Sequence, residues 1–274
     1  MFKRRNIFAL HSFFFLVAQI VLALIAFSLP LSTQAQAQIQ ETQKQETQKP
    51  EPQKPSLTLN SASADPLSNA YNSGFIDKLL RIAFERLGYD LKRVQLPAER
   101  ALRDVNQGKL DGEFIRIDGI QNKYRNLIKV DEKIIDLDFV VFSEIAINTE
   151  SGWNALEPFN VAFLSGWKIV ESNMPKKARI IKVNRPQQLF YMLYKKRADA
   201  IVYERWAGLN ILTNDPRYHP IKVRMPPLAT KPMFCYLNKK HADLVPKLAD
   251  MLKELKQDGT YKTLYNTTLY HLAE

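Results

Sequence analysis

The alternation of strand-like and helix-like segments constrains the fold of this chain more than any other feature. Three strand-like segments at 56–62, 92–96 and 110–117 are separated by segments with helical periodicity. The first of these, 75–87, ends before Gly88 and carries one apolar stripe. The order strand, helix, strand, helix predicts an α/β fold with mainly parallel sheets and right-handed crossovers. The residues of the stripe are Ile76, Leu79, Leu80, Ala83 and Leu87.

The second half of the chain repeats this alternation. An apolar, β-branched run at 139–147 is long enough to cross from one half of the molecule to the other. Two later strands, 218–223 and 233–237, are predicted to flank a turn at Pro226 and Pro227. The remaining predictions are strands at 161–164, 180–183 and 198–203, and helices at 166–170, 186–196, 244–255 and 264–272.

The first 37 residues have the organisation of a secretory signal peptide. Three basic residues at 3–5 precede an apolar run at 13–29, and Ala35 and Ala37 form a small-x-small cleavage site. An uncleaved membrane anchor is the alternative, because the run approaches the roughly 18–20 residues that span a bilayer. We expect cleavage after Ala37 and a periplasmic protein. Residues 38–55 are polar and proline-rich, which predicts a disordered linker.

Charge and cysteine content narrow the classes of partner. The full chain has 39 basic and 28 acidic residues; removal of the three basic residues in 1–37 leaves 36 and 28, so the formal net charge falls from +11 to +8. Export makes nucleic acid an unsuitable partner for this basic surface. The single cysteine, Cys235, permits no intrachain disulfide. The four histidines are scattered, so we expect no metal site, no cofactor and no catalytic residue.

Five segments resemble the family 3 extracellular solute-binding proteins, the receptors of polar amino-acid ABC transporters. They occur in the family's order and span about 56–274, nearly all of the expected mature chain. The segments are 97–102 (PAERAL), 108–112 (GKLDG), 124–130 (YRNLIKV), 197–202 (RADAIV) and 239–261, which opens KKHADL and ends DGTY.

The resemblance implies a two-lobed periplasmic-binding-protein fold with two crossing strands and a central cleft for a small polar ligand. Lobe 1 would comprise 56–143 and 232–274, and lobe 2 would comprise 144–231. Hinge motion between such lobes encloses the ligand and removes its charges from water. The implied partners are an ABC permease or a membrane sensor, and a monomer is expected.

Family members that bind amino acids clamp the ligand carboxylate with an arginine of lobe 1. Two arginines of this sequence are candidates for that role. A guanidinium suits this role because its planar fork forms two parallel charge-assisted hydrogen bonds. Arg125 lies nearer the family position, whereas Arg116 ends the strand after Gly112 and should point into the cleft. We favour Arg116 and rank Arg100 third. Replacement of Arg116 by alanine should abolish carboxylate binding and leave the melting temperature of the empty protein nearly unchanged.

Lobe 2 supplies the remaining candidates. Glu204 matches the family acid that receives a ligand ammonium, although it could instead be a first-turn acid of a helix. Tyr203 and Trp206 flank it, and Trp167 heads a helix after Gly166. Such aromatic side chains often line ligand pockets, and they also fill cores.

The sequence departs from the family before the clamp. The usual threonine-rich stretch is replaced by Phe-Ile-Arg-Ile-Asp at 114–118, which leaves open a small anion or a differently held zwitterion as the ligand.

Two other functions are also considered. A dehydratase-like enzyme on the same scaffold would need Glu204 or Glu113 as a general acid with a pKa raised by burial. An adhesion protein tethered in the envelope would need no closed, ligand-bound state.

Overall fold

The structure, a computed structural model, describes residues 54–61 and 63–273. The predicted signal peptide, its cleavage site and the linker up to residue 53 lie outside the described residues. Within the described ranges, no helix combines the length and the apolar character needed to cross a membrane.

Strands and helices alternate through most of the described chain, as the sequence predicts. The strands are β1 (Ser56–Ser61), β2 (Asp90–Val94), β3 (Gly112–Arg116), β4 (Leu127–Lys129), β5 (Ile135–Ser143), β6 (Asn160–Leu164), β7 (Arg179–Val183), β8 (Ala200–Glu204) and β9 (Lys222–Asn238). The α-helices are α1 (Phe75–Arg86), α2 (Ala98–Asn106), α3 (Lys168–Asn173), α4 (Pro186–Tyr194), α5 (Arg205–Asn214), α6 (Leu244–Gln257) and α7 (Thr260–Thr268).

The strands form one curled sheet in the order β2-β1-β3-β9-β5-β8-β6-β7, with β4 paired to β9. β1 lies parallel to β2 and β3, and β6 lies parallel to β7 and β8. The antiparallel strands β5 and β9 join these two parallel groups. The predicted α/β fold with two crossing strands is therefore confirmed.

The loop before α1 is organised by one buried carboxylate. Asp77, in the first turn of the helix, accepts hydrogen bonds from Ser68 Oγ at 2.6 Å, Asn69 N at 2.9 Å and Gly74 N at 3.2 Å. An acid at this position satisfies a free amide at the helix start and favours the helix dipole. These contacts fix the part of the loop from Ser68 to the start of α1.

The first crossing strand starts earlier than the sequence predicts. The apolar run places it at 139–147, whereas β5 spans Ile135–Ser143 and pairs with β9 from Ile135 onward. Asp136 and Asp138 alternate with buried apolar residues in its first half, so the run of apolar residues places the start of the strand too late. β5 ends at Ser143, whose hydroxyl donates to the Asp199 carbonyl at 2.7 Å.

The predicted turn at Pro226 and Pro227 is wrong, because β9 continues through both prolines. Val141 pairs with Arg224 and Phe139 pairs with Ala229. The four residues 225–228 therefore lie opposite one residue of β5, Val140. Proline has no N–H to donate to a ladder, so an irregular segment of this kind accommodates it within a strand.

Candidate functional site

The carboxyl ends of the parallel strands in the two halves point toward each other. Arg116, the last residue of β3, pairs with Phe234 of β9. Glu204, the last residue of β8, pairs with Phe139, which in turn pairs with Ala229 of β9. The five-residue step from 229 to 234 corresponds to about 17 Å of extended chain. Ligands of α/β proteins bind outside the carboxyl ends of strands, so the cleft between these ends is the candidate site.

At the lobe 1 end of the cleft, a buried network ties three strands together. Glu113 of β3 is completely buried and accepts a hydrogen bond from Asn60 Nδ2 of β1 at 3.0 Å. The same carboxylate oxygen, Oε1, accepts a hydrogen bond from Nη2 of Arg116. Asn60 Oδ1 accepts from the Leu96 amide, beyond the end of β2, at 2.7 Å. Arg116 is thus held by Glu113, a residue of the same strand.

A β-bulge explains how Glu113 and Arg116 meet. In a regular strand, residues three apart point to opposite faces. Here Phe114 pairs with Cys235 and Arg116 pairs with Phe234, so Ile115 is an extra residue in β3. Ile115 adopts a left-handed φ of 66°, which is rare for a β-branched residue. The bulge puts both charged side chains on one face of the sheet.

Burial and the ion pair oppose each other at Glu113. Removal from water raises the pKa of this carboxyl, and the neighbouring Arg116 guanidinium and Asn60 amide act to lower it. The net direction is upward. Two buried atoms of the pair, Glu113 Oε2 and Arg116 Nε, have no hydrogen-bond partner within residues 54–61 and 63–273. The pair therefore keeps one free acceptor and one free donor.

At the lobe 2 end, aromatic side chains form a stack. The rings of Trp167 and Tyr203 lie 5.1 Å apart at an interplanar angle of 14°. Phe139 of β5 contacts the Trp167 ring edge-to-face at 5.6 Å. Tyr203 is buried, which raises the pKa of its phenol, whereas Trp167 is only half-buried. The structure thus brings together two of the predicted residues and leaves one indole face partly accessible.

Glu204 caps helix α5. Its carboxylate accepts hydrogen bonds from the Trp206 amide at 3.0 Å and the Ala207 amide at 2.8 Å. Burial raises the pKa of Glu204 to about 7, although both amide hydrogen bonds act to lower it. Of the two interpretations left open by the sequence, the helix-capping role is the one that these contacts fulfil. The carboxylate has both oxygens occupied by backbone amides.

Arg205 is a site residue that the sequence reasoning missed. Its guanidinium lies 3.5 Å from the carboxylate of Asp138 on β5, and Thr230 Oγ1 of β9 donates to the same carboxylate at 2.7 Å. It also lies over the Trp206 ring, 4.8 Å from the centroid. The signal was available, since Arg205 directly follows Glu204 at the predicted strand end. Arg205 places a second guanidinium beside the crossing strands.

Trp206, a predicted ligand residue, is buried between the two halves. Its indole packs edge-to-face on Tyr265 of α7, with 5.6 Å between ring centroids. Only 3% of the residue is exposed. This side chain therefore serves packing between α5 and the C-terminal helices.

Arg125 and Arg100 do not join the cleft network. Arg125 is exposed and lies two residues before β4, whose first residue, Leu127, pairs with Asn238. Asn238 is the last residue of β9, whereas Phe234, the partner of Arg116, lies nearer the cleft. The structure therefore places Arg125 away from the cleft. Arg100 is exposed on the first turn of α2, with its Nε 3.6 Å from Asp104. The alignment of residues 124–130 with the family segment before the crossing strand had suggested a place for Arg125 in the cleft, and the strand pairing does not agree with it.

No group of three or more His, Cys, Asp or Glu side chains in ranges 54–61 and 63–273 is arranged to hold a metal ion. The polar groups that meet at the cleft are instead a guanidinium, an amide and carboxylates. These groups bind small polar molecules through hydrogen bonds and charge.

Comparisons with known proteins give one sequence relative and many structural neighbours. No family model matches the chain. An uncharacterized protein of Shewanella oneidensis is 26% identical over 214 residues, which cover 75% of this chain and 80% of the relative.

Three solved structures illustrate the likeness of fold. The substrate-binding protein of an amino acid ABC transporter has a TM-score of 0.61 and 18% identity, covering 78% of this chain and 98% of that one. AncCDT-1, an ancestral amino acid-binding protein described as a precursor of cyclohexadienyl dehydratase, has a TM-score of 0.61 and 18% identity over 78% and 95%. A histidine kinase sensor domain similar to periplasmic binding proteins has a TM-score of 0.63 and 14% identity over 78% and 96%.

These likenesses confirm, at the level of the fold, the predicted resemblance to family 3 solute-binding proteins. The chain has the two-lobed periplasmic-binding-protein fold with a central cleft. Identities below 20% for all three structures carry no information on which ligand is bound.

Proposed function

We propose that this chain, with its two-lobed fold, is a periplasmic receptor that binds a small carboxylate-bearing or zwitterionic ligand and does no chemistry on it. The single observation that carries the proposal is the facing pair of strand ends, with Arg116 at one and the Trp167–Tyr203 stack at the other. One end offers hydrogen-bonding polar groups, and the other offers an apolar face. This combination is typical of small-molecule sites.

The proposal assigns residues 56–143 and 232–274 to lobe 1 and 144–231 to lobe 2. The predicted signal peptide in 1–37 supports export to the periplasm, and the likeness to a transporter receptor and to a kinase sensor domain supports either of two downstream partners. Genes for a permease and an ATPase beside this gene would identify the transport role. In the proposed role, the monomeric receptor presents its closed form to that partner.

Thermal-shift and calorimetric screening tests this function. We expect at least one compound among amino acids, organic acids and polyamines to stabilise the protein, because binding to the folded state alone adds about 2.7 kcal/mol at a hundredfold excess over the dissociation constant. A spermidine-only hit would contradict the carboxylate preference. No hit in any class would contradict the receptor function itself.

A dehydratase is the second candidate, because Glu204 is buried and has a pKa raised to about 7. A carboxyl group that holds a proton near neutral pH has the property of a general acid. However, both of its oxygens accept backbone amides, so donation to a substrate would require the α5 cap to open. We therefore expect mass spectrometry to find no product from prephenate or arogenate. Product formation that Glu204→Gln abolishes would establish the enzyme instead.

A further inference from the structure

We propose that Glu113 is a positioning residue that sets the ligand specificity of the lobe 1 end of the cleft. By holding Arg116 in a buried ion pair, Glu113 makes this end electrically neutral. The end then accepts a polar group that is neutral overall, such as a zwitterion or an amide, in preference to a bare anion. This inference rests on the proposed function, because it concerns the same cleft.

The geometry shows that the pair is built into the strand and is not an exposed contact. The Glu113 side chain is 0% exposed and that of Arg116 is 16% exposed. The bulge at Ile115 is what turns both side chains to one face. Asn60 contributes a second donor to the same carboxylate oxygen, Oε1. A left-handed β-branched residue is costly, so the surrounding contacts must hold it in place.

The partners of Arg116 leave it little capacity for a ligand carboxylate. Its Nη2 donates to Glu113, and the same nitrogen lies 3.4 Å from the Ala98 carbonyl at the start of α2. A bidentate clamp needs two parallel N–H groups directed at one carboxylate. The counter-charge beside the guanidinium also weakens its attraction for any anion.

The unsatisfied atoms of the pair define the complementary group. Glu113 Oε2 is an acceptor without a donor, and Arg116 Nε is a donor without an acceptor. Both atoms are buried, so a rearrangement of the cleft must expose them to a ligand. A ligand group that both donates and accepts would then satisfy the two together, whereas a carboxylate would satisfy only the donor. A primary amide, a hydroxyl group or the two charges of a zwitterion meets this requirement.

Among the residues that the structure describes, few other charges face Glu113. The titratable neighbours are Arg116 on its own strand and Cys235 on β9, whose thiol pKa is raised by burial and by the Glu113 charge. Asn60 on β1 and the Ala98 carbonyl on α2 are uncharged. Protonation of Glu113 therefore releases Arg116 from its counter-charge, with few other groups to compensate.

The test uses sulfate as the probe, because its charge does not change between pH 5 and pH 8. Calorimetry with the full mature chain should show that Glu113→Gln binds sulfate about tenfold more tightly than the wild type at pH 8. Glutamine is isosteric and still offers an oxygen to Asn60 and Arg116. Because burial raises the pKa of Glu113, wild-type affinity should rise as the pH is lowered, and the advantage of the variant should shrink accordingly. Glu85→Gln, an exposed acid on α1, is the matched control and should behave as the wild type.

Equal or weaker sulfate binding by Glu113→Gln at pH 8 would overturn the inference, as would absence of sulfate binding by both proteins. If the variant does not fold, the pH profile is measured with Glu204 changed to Gln and with His219, His241 and His271 changed to Asn, because Glu204, with a pKa of about 7, would otherwise titrate in the same range. A rise in affinity as the pH is lowered then supports the role of Glu113, and a fall or no change contradicts it. The ligand screen and the sulfate test give independent results. If the screen finds no ligand but sulfate binding changes as expected, the receptor function is rejected and the role of Glu113 is not.

Discussion

Replacing Arg116 with alanine is expected to abolish ligand binding and also to lower the free energy of unfolding at pH 8 by roughly 3 kcal/mol. The substitution leaves the Glu113 carboxylate buried without its counter-charge, and the single remaining hydrogen bond comes from Asn60. Urea denaturation and calorimetry with a ligand from the screen measure the two effects. The structure thus corrects the sequence-based expectation of an almost unchanged melting temperature.

A double variant separates the two effects. Arg116→Ala combined with Glu113→Gln removes both charges, so it should recover most of the lost stability and still fail to bind the ligand. Arg100→Ala is the matched control, since Arg100 is exposed on α2 and should affect neither property beyond a few tenths of a kcal/mol. Ligand binding that survives in Arg116→Ala would exclude Arg116 from the site.

Glu204→Gln is expected to remove a pH-dependent loss of stability. Burial raises the pKa of Glu204 from 4.5 to about 7 in the folded protein. A raised pKa in the folded state contributes stability that is fully present below pH 4.5 and is lost as the pH rises toward 7. The loss amounts to roughly 3 kcal/mol. Urea denaturation of wild type and variant at pH 4.5 and pH 8 measures it.

The difference between the two proteins isolates this titration. Glutamine keeps one oxygen that accepts from one of the two α5 amides and turns its NH₂ group toward the second amide. The resulting loss of stability is the same at every pH, because glutamine does not titrate. Glu157→Gln is a control at a partly exposed acid. A free-energy difference between wild type and Glu204→Gln that stays constant from pH 4.5 to pH 8 would show that the buried carboxyl does not titrate in this range.

The sequence was sufficient for the element order because the helices and strands carry clear periodicity. The stripe of α1 and the buried run of β6 are local patterns, and the structure contains both elements. Tyr203 and Trp167 were candidates because each stands at the predicted end of a strand or start of a helix, and the structure stacks their rings. Such positions are fixed by the order of elements alone.

The failures of prediction come from non-local contacts. The bulge at Ile115 depends on pairing with β9, more than a hundred residues later, and neither Ile115 nor Glu113 has a local signature of it. Arg125 was a candidate through register, and pairing of Leu127 with Asn238 decides its place. The two prolines of β9 suggested a turn, because a single sequence does not show that β5 lies alongside.

The passage of β5 and β9 side by side between the halves has a mechanical consequence. Their ladder runs from the Ile135–Met233 pair to the Ser143–Lys222 pair, so both links are fastened to each other and not independent. We therefore expect the two halves to move relative to each other as a hinge about this pair of strands, which would carry Arg116 and Trp167 toward and away from each other.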